Sequence, residues 1–523
     1  MIDGEMQTFA LTLDKFLEHA AKWRPDAQVV TARDGGGTDR IGYADLMVRS
    51  RRASAMLAGL GVSAGDRVAT LAWNSQVHVE VWYGIMGMGA VCHTLNPRLT
   101  AEHLASMIVQ SQARVLIASA DLAPLAGQIL ERVPGVEHLL IIDAEGGVAP
   151  QGRGVLLETL LAQAKGEVVW GEFDETAPCG LCFTSGTTGA PKGVTYTHRS
   201  SFLHTLRALQ ADVMAISGAD SVLAVVPMFH ANAWGLPFAA PAVGAKLVLP
   251  GRMADGASLA RLIAAEDVTI GVGVPTVWLG LVEHLEATGG ELPSLKRIIV
   301  GGAPMAPALM ERIEQRLGVR VQTSWGMTEL SPSGTVAPLN APSQAAQSGR
   351  PAIGVDLLLT DAAGTPLPQQ RDVEGHLRVR GAAVIERYFG HDQSATDADG
   401  WFPTGDLARI DAEGNLMITG RAKDLIKSGG EWINPAEIEA VVGALPEVSL
   451  AAVIGRSDPK WGERPILLVE TQAEVSDEAL LASLRGRVAP WWIPDAVFRL
   501  PRMPLAATGK IDKIRLRSEY GGG

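Results

Sequence analysis

The chain has 523 residues, three to four times the usual ~150-residue domain, and 47% of them are hydrophobic, ample for more than one core. A formal charge of −12 with no long basic run excludes the phosphate-neutralising footprint that nucleic acid requires. Three cysteines, Cys92, Cys179 and Cys182, cannot staple a chain of this size, which fits a reducing cytosol and a cytoplasmic location.

The first residues carry Asp3, Glu5 and Asp14 without a basic segment and do not read as a secretory signal. Residues 13–23 read as an amphipathic helix, and residues 66–73 (DRVATLAW) and 114–118 (RVLIA) as buried strands. Short apolar runs at 221–227, 245–249, 269–274 and 297–300, each closed by Gly or Pro, continue the alternation and predict parallel sheets covered by helices. Residues 222–245 lack Asp, Glu, Lys and Arg and are long enough to span a bilayer. Pro227, Pro237 and Pro241 would break a helix there, and His230 and Asn232 would sit unpaired in lipid, so the stretch is read as buried and no transmembrane segment is predicted.

After about residue 350 the pattern becomes antiparallel hairpins, at 375–379, 407–410 and 416–419. A boundary falls near Gly420-Arg421, beyond which Asn434, Pro435 and Glu437 supply an N-cap, a first-turn proline and a capping glutamate for a helix over 437–445. The fold class is therefore α/β. Residues 1–420 form a large domain of α/β-layered sheets plus an antiparallel β subdomain, and residues 421–523 a small α+β domain.

The strongest chemical signal is LCFTSGTTGAPKG at 181–193, an apolar strand running into Thr, Ser and Gly residues whose amides and hydroxyls can wrap a polyphosphate, with Lys192 as a cation. Pro191 before Lys192 and Gly193 after it disfavour the helix that a Walker loop needs. Cys179 and Cys182, three apart in a strand, face opposite sides and have no second pair to complete a zinc site, so both are read as structural.

Together with VPMFHANAWGLP (226–237), GVPTVW (273–278), VGGAP (300–304), SWGMTE (324–329), TGD (404–406), GRAKDLIKSGGEWINPAEIE (420–439) and PLAATGKIDK (504–513), this loop resembles the adenylate-forming superfamily of acyl-CoA synthetases, luciferases and peptide-synthetase adenylation domains. The pattern is most similar to bacterial medium- and long-chain fatty acyl-CoA synthetases. The resemblance implies ATP, Mg²⁺ and coenzyme A as co-reactants and a small-molecule carboxylic acid as substrate, with a homodimer allowed for. It implies that Thr184, Ser185, Gly186, Thr187, Thr188, Gly189 and Lys192 cradle the phosphates and that Thr184 and Glu329 hold the metal. Gly302, Ala303, Pro304, Thr323, Ser324, Trp325, Gly326, Met327 and Thr328 would line the nucleotide, and Asp406 has acceptor oxygens for two ribose hydroxyls. Trp325 stands where the family has tyrosine, and Thr323 and Ser324 replace a frequent Gln-Gly.

In the same comparison Lys510 is the lysine that bridges carboxylate and α-phosphate, while residues 421–430 look like a hinge around which the small domain moves. Arg421, Lys423, Lys427 and Trp432 are thereby nucleotide contacts, with Lys423 the hinge and Lys423, Lys427, Gly429 and Gly430 bordering a pantetheine tunnel. An acyl pocket is expected from His230, Ala231, Trp234, Val274 and Pro275, with His230 contacting the carboxylate and Trp234 screening the tunnel. The candidate segments contain no Asp or Glu, so an amino acid's ammonium would be buried unpaired. Ala489-Pro490-Trp491-Trp492 lacks the lysine that relatives often carry before the aromatic pair.

The expected activity is an ATP-dependent acid:CoA ligase that forms acyl-AMP and pyrophosphate and then acyl-CoA from a medium- or long-chain fatty acid. Alternatives are a ligase for methylthiopropionate or an aryl or cinnamic acid, a luciferase-like oxygenase and a non-catalytic adenylate-binding protein. A peptide-synthetase module would continue into a carrier domain after the lysine loop.

Overall fold

A computed structural model describes residues 3–144, 154–184, 191–506 and 509–522. Two large sheets carry the architecture. In the first, six parallel strands lie in the order Arg320–Gly326, Arg297–Val300, Ile270–Gly273, Ser221–Ala224, Lys246–Leu249 and Gln28–Ala32, with antiparallel strands added at both edges. In the second, Pro178–Thr184 lies between the parallel Val91–Thr94 and the antiparallel Lys192–Thr197. These are the helix-covered parallel sheets that the apolar runs predicted, and neighbouring core clusters fill the space on their faces.

The expected strands are present, some shorter at one or both ends. The run at 221–227 stays in the sheet only to Ala224, because Asn74 then takes over the backbone: its amide nitrogen donates to the carbonyls of Ala224 and Val226, and its oxygen accepts the Met228 N–H. The charge-free stretch continues into a tight turn and the buried helix Leu236–Val243. Among the described residues no helix is long and apolar enough to cross a membrane. Cys179 and Cys182 are buried and free.

The hairpins expected after residue 350 form a four-stranded antiparallel sheet, Val355–Thr360, Glu374–Gly381, Phe402–Ile410 and Leu416–Arg421. The last segment builds an antiparallel sheet from Ile426–Ser428, Glu431–Ile433, Val448–Asp458 and Gly462–Thr471, with Val497–Arg499 parallel at its side. From Ile426 onward the buried side chains form two clusters of their own. Asn434 caps as expected, accepting the Ala436 N–H, but the helix runs Pro435–Val442 and not 437–445. The cap makes Pro435 the first helical residue, and Gly443 closes the far end.

Candidate active site

The site lies where the carboxyl ends of the parallel strands meet the antiparallel sheet and the last segment, the usual location of a crevice in an open α/β sheet. The strand Pro178–Thr184 delivers Thr184 and returns as Lys192–Thr197, with Thr184 and Lys192 directly paired. The Thr184 hydroxyl reaches the Lys192 carbonyl at 3.4 Å. Ser185, Gly186, Thr187, Thr188 and Gly189 lie outside the described residues.

Opposite this hairpin, Arg320–Gly326 carries Thr323, Ser324, Trp325 and Gly326 and runs through Met327 into a 3₁₀ turn, Thr328–Leu330, that presents Glu329. The Thr328 carbonyl accepts the Tyr196 hydroxyl at 2.9 Å, tying the turn to the phosphate-loop hairpin. Ser324 donates to the Val300 carbonyl at 2.8 Å, whereas the buried Thr323 hydroxyl has no partner among the described residues. Gly302, with φ +79°, opens the turn of residues 301–304; a Cβ there would lie 3.5 Å from Val274 Cγ1, 3.8 Å from Lys510 Cε and 3.9 Å from the Trp234 ring. That one glycine is where the residues expected to form the nucleotide wall and the acyl pocket meet Lys510.

Lys510 reaches this point on a tight turn. The Ala506 N–H donates to the Lys510 carbonyl and the Gly509 N–H to the Ala506 carbonyl, with Gly509 at φ +81°. A Cβ on Gly509 would stand 3.3 Å from Val274, so the turn seats against the acyl wall. Burial pushes the Lys510 ammonium down to about 8; Arg421 adds to this, Asp406 and Glu329 oppose it, and Lys423 lowers it further.

Asp406 is 2% exposed and sits in a strand, paired across the sheet with Arg421. Arg421 Nε lies 2.6 Å from one carboxylate oxygen, and the Trp325 indole N–H donates to the other at 2.9 Å. Burial raises the Asp406 pKa, against Arg421, the Trp325 bond and the charges of Lys510 and Lys423. Trp325 is 8% exposed, and a Cβ on Gly334 would come within 2.6 Å of its ring, so the indole is held between Gly334 and the bond to Asp406.

The acyl-side residues are brought together in an unusual backbone. Ala231, Asn232, Ala233 and Trp234 all have positive φ, from 44° to 53°, followed by Gly235 at 77°. A left-handed turn costs about 1–2 kcal/mol per non-glycine residue, and this one places the Trp234 ring where a Cβ on Gly301 would be 3.0 Å away. His230, just before it, is pushed down to about 4 by burial and then by the charges of Lys510 and Arg98, so it is neutral near pH 7 and faces the lysine. Val274 and Pro275 begin the helix Pro275–Thr288 behind Gly509.

Lys427, Gly429, Gly430 and Trp432 are gathered elsewhere. Trp432 is 54% exposed on the hairpin of Ile426–Ser428 and Glu431–Ile433, with Lys427 Nζ 5.5 Å from its ring, and Gly429 is packed under Trp461. Lys427 and Trp432, both expected as nucleotide contacts, lie against each other here. Lys423 lies in a 3₁₀ turn, Ala422–Asp424, where burial lowers its pKa.

Sequence reasoning missed two residues here. Arg98 lies 5.9 Å from the Phe229 ring and acts on His230; its position in the LNPRL loop gave no pattern to read. Tyr388 donates to Glu329 Oε1 at 2.9 Å and carries Lys192 Nζ 4.8 Å from its ring, from a segment in which no motif was singled out.

The donors that the motif assigns to a metal, the Thr184 hydroxyl and the Glu329 carboxylate, are all oxygen. Among the described residues no group of three or more His, Cys, Asp or Glu could hold a metal unaided. That set fits Mg²⁺ held by one carboxylate and a nucleotide's phosphates.

The AMP-binding enzyme family matches residues 17–389 and its C-terminal domain matches 437–510. The medium-chain-fatty-acid–CoA ligase of Ectopseudomonas oleovorans is 40% identical over 99% of this chain and 97% of its own. The 3-methylmercaptopropionyl-CoA ligase of Ruegeria lacuscaerulensis is 39% identical over 99% and 98%. The crystal structure of ATP-bound MatB from Rhodopseudomonas palustris superposes with a TM-score of 0.85 at 25% identity, covering 98% of this chain and 99% of the other. The protein belongs to the AMP-binding enzyme family, as an AMP-forming acid–CoA ligase that uses ATP, Mg²⁺ and coenzyme A.

Proposed function

We propose that the acid is a hydrophobic one, a medium- or long-chain fatty acid, activated at Gly302 by Lys510 and transferred to coenzyme A in the cytoplasm. The observation that carries this is the convergence at Gly302 of one cation with two apolar side chains, Val274 and Trp234. A carboxylate and an α-phosphate about 4 Å apart repel by roughly 4 kcal/mol in a partly dry site. Lys510 lies between the oxygens' expected positions and cancels that repulsion as the carboxylate attacks phosphorus and pyrophosphate leaves. Neutral His230 can donate a hydrogen bond to the carboxylate without carrying a competing charge. Thr184 and Glu329 would hold Mg²⁺, which when bound would supply charge neutralisation for the phosphates. Asp406, oriented by Arg421 and Trp325, offers its remaining lone pairs to the ribose.

Release of Lys510 from Gly302 is required before a thiol can reach the acyl carbon. The chain would move as two bodies, residues 1–420 and 421–523, hinged at Lys423, and the separate core clusters from Ile426 onward support that division. The hairpin carrying Lys427, Gly429 and Gly430 would then border the thiol's path.

The relative that acts on 3-methylmercaptopropionate is 39% identical and supports a second reading, a short thioether acid. AMP release with coenzyme A over acids from acetate to palmitate, with methylthiopropionate and cinnamate included, separates the two. The fatty-acid reading expects kcat/KM to rise with chain length beyond six carbons. A maximum at methylthiopropionate or at cinnamate overturns it.

A further inference from the structure

We propose that Tyr388 is a positioning residue that holds the metal-facing carboxylate apart from the phosphate-loop cation. This rests on the assignment of Glu329 to Mg²⁺ and Lys192 to the phosphates. Both groups meet one side chain: the Tyr388 hydroxyl donates to Glu329 Oε1 at 2.9 Å, and Lys192 Nζ lies 4.8 Å from the ring centroid. The flanking backbone makes the same link a second time. The Ile385 N–H donates to the Glu329 carbonyl and the Phe389 N–H to the Gly193 carbonyl, each at 2.8 Å. A Cβ on Gly193 would come within 2.9 Å of Phe389 Cβ, so only glycine admits this approach.

The chemistry gives the arrangement a purpose. Lys192 and Glu329 carry opposite charges beside the same polyphosphate site, and a direct ion pair between them would occupy the groups that must face phosphate and metal. Tyr388 satisfies each separately. Its ring face attracts the ammonium, and its O–H takes one lone pair of Oε1 while leaving Oε2 for a cation. The four contacts fix the carboxylate relative to the phosphate-loop hairpin before any nucleotide arrives.

The test compares Tyr388→Phe, which keeps the ring, with Tyr388→Leu, which removes it. Mn²⁺ binding to the enzyme–ATP complex is followed by electron paramagnetic resonance, and ATP binding in EDTA by calorimetry. Loss of a bond to a charged acceptor predicts about tenfold weaker Mn²⁺ binding in the Phe variant, with metal-free ATP binding unchanged. The Leu variant is expected to lose about two- to fivefold in metal-free ATP affinity as well. Both should convert supplied acyl-AMP with coenzyme A at the native rate. Native Mn²⁺ affinity in the Phe variant overturns the proposal, as does a parallel loss of thioester formation and melting temperature in both variants. Glu329→Gln is the control: if it leaves Mn²⁺ affinity intact, the metal assignment itself falls, whereas weakening by Glu329→Gln but not by Tyr388→Phe sinks the role of Tyr388 alone.

Discussion

Lys510 occupies a cleft that disfavours its charge until anions arrive. Replacing it with alanine restores the repulsion between carboxylate and phosphate, roughly 4 kcal/mol, and so should slow acyl-AMP formation about a thousandfold while supplied acyl-AMP still reacts with coenzyme A. Pyrophosphate release and thioester formation, measured separately, check this; equal loss of both steps contradicts it. The lowered pKa, about 8 against an ordinary 10.5, also sets a pH dependence. Below 8 the ammonium is present and adenylation runs, and as pH rises through 8 the cation is lost, so kcat/KM should decline on that side. In the ternary complex the bound anions hold the proton, which moves the corresponding decline in kcat to higher pH. His230, at about 4, adds no limb between pH 5 and 7. For the docked pose of the empty enzyme the sign is opposite: the buried ammonium destabilises it fully below pH 8, and the penalty fades between 8 and 10.5. A kcat/KM profile flat from pH 7 to 10 would show that Lys510 is not held as described.

At the scale of the element, the left-handed turn of Ala231–Gly235 aims Trp234 at Gly301 and Gly302. Trp234→Ala removes that ring and should shift the preferred chain length without changing ATP affinity. Each methylene admitted or shut out is worth about 0.8 kcal/mol, roughly fourfold in kcat/KM; an unchanged chain-length profile would reduce the ring to packing. The turn also shows what sequence can and cannot display. The strand Arg297–Val300, the cap at Asn434 and the strand leading to Thr184 were legible because apolar runs and capping residues act locally. The SGTTG segment was read as a phosphate loop from its hydroxyls and glycines, whereas Lys510 of ATGK stood out only through the family resemblance, since a single lysine carries no local pattern. Four left-handed residues in Ala-Asn-Ala-Trp were not legible, because local propensity opposes that conformation and only tertiary packing holds it. The wedging of Trp325 by Gly334, and of Tyr388 between Lys192 and Glu329, likewise depends on segments far apart in the chain.

For the whole molecule, the proposed reaction cycle requires the last segment to present Lys510 and then withdraw it. Arg312 of the large body reaches Gln472 of the last segment at 3.3 Å, and an exposed contact of this kind is worth little and gives way readily. Fixing φ at the hinge with Lys423→Pro should therefore leave acyl-AMP formation largely intact and cut the coenzyme A step by about tenfold or more, because a restrained backbone cannot absorb the rotation. Single-turnover kinetics of the two half-reactions decide it, and equal rates in both would place the hinge elsewhere. The side chains buried after Ile426 cluster among themselves, while His230, Trp234 and Val274 all belong to the earlier body. On the proposed reading, selectivity for the acid and delivery of the charge that activates it are thus housed in different pieces of chain. A graft that replaced the tail with a cousin's would inherit this enzyme's taste in acids while borrowing the other's tempo.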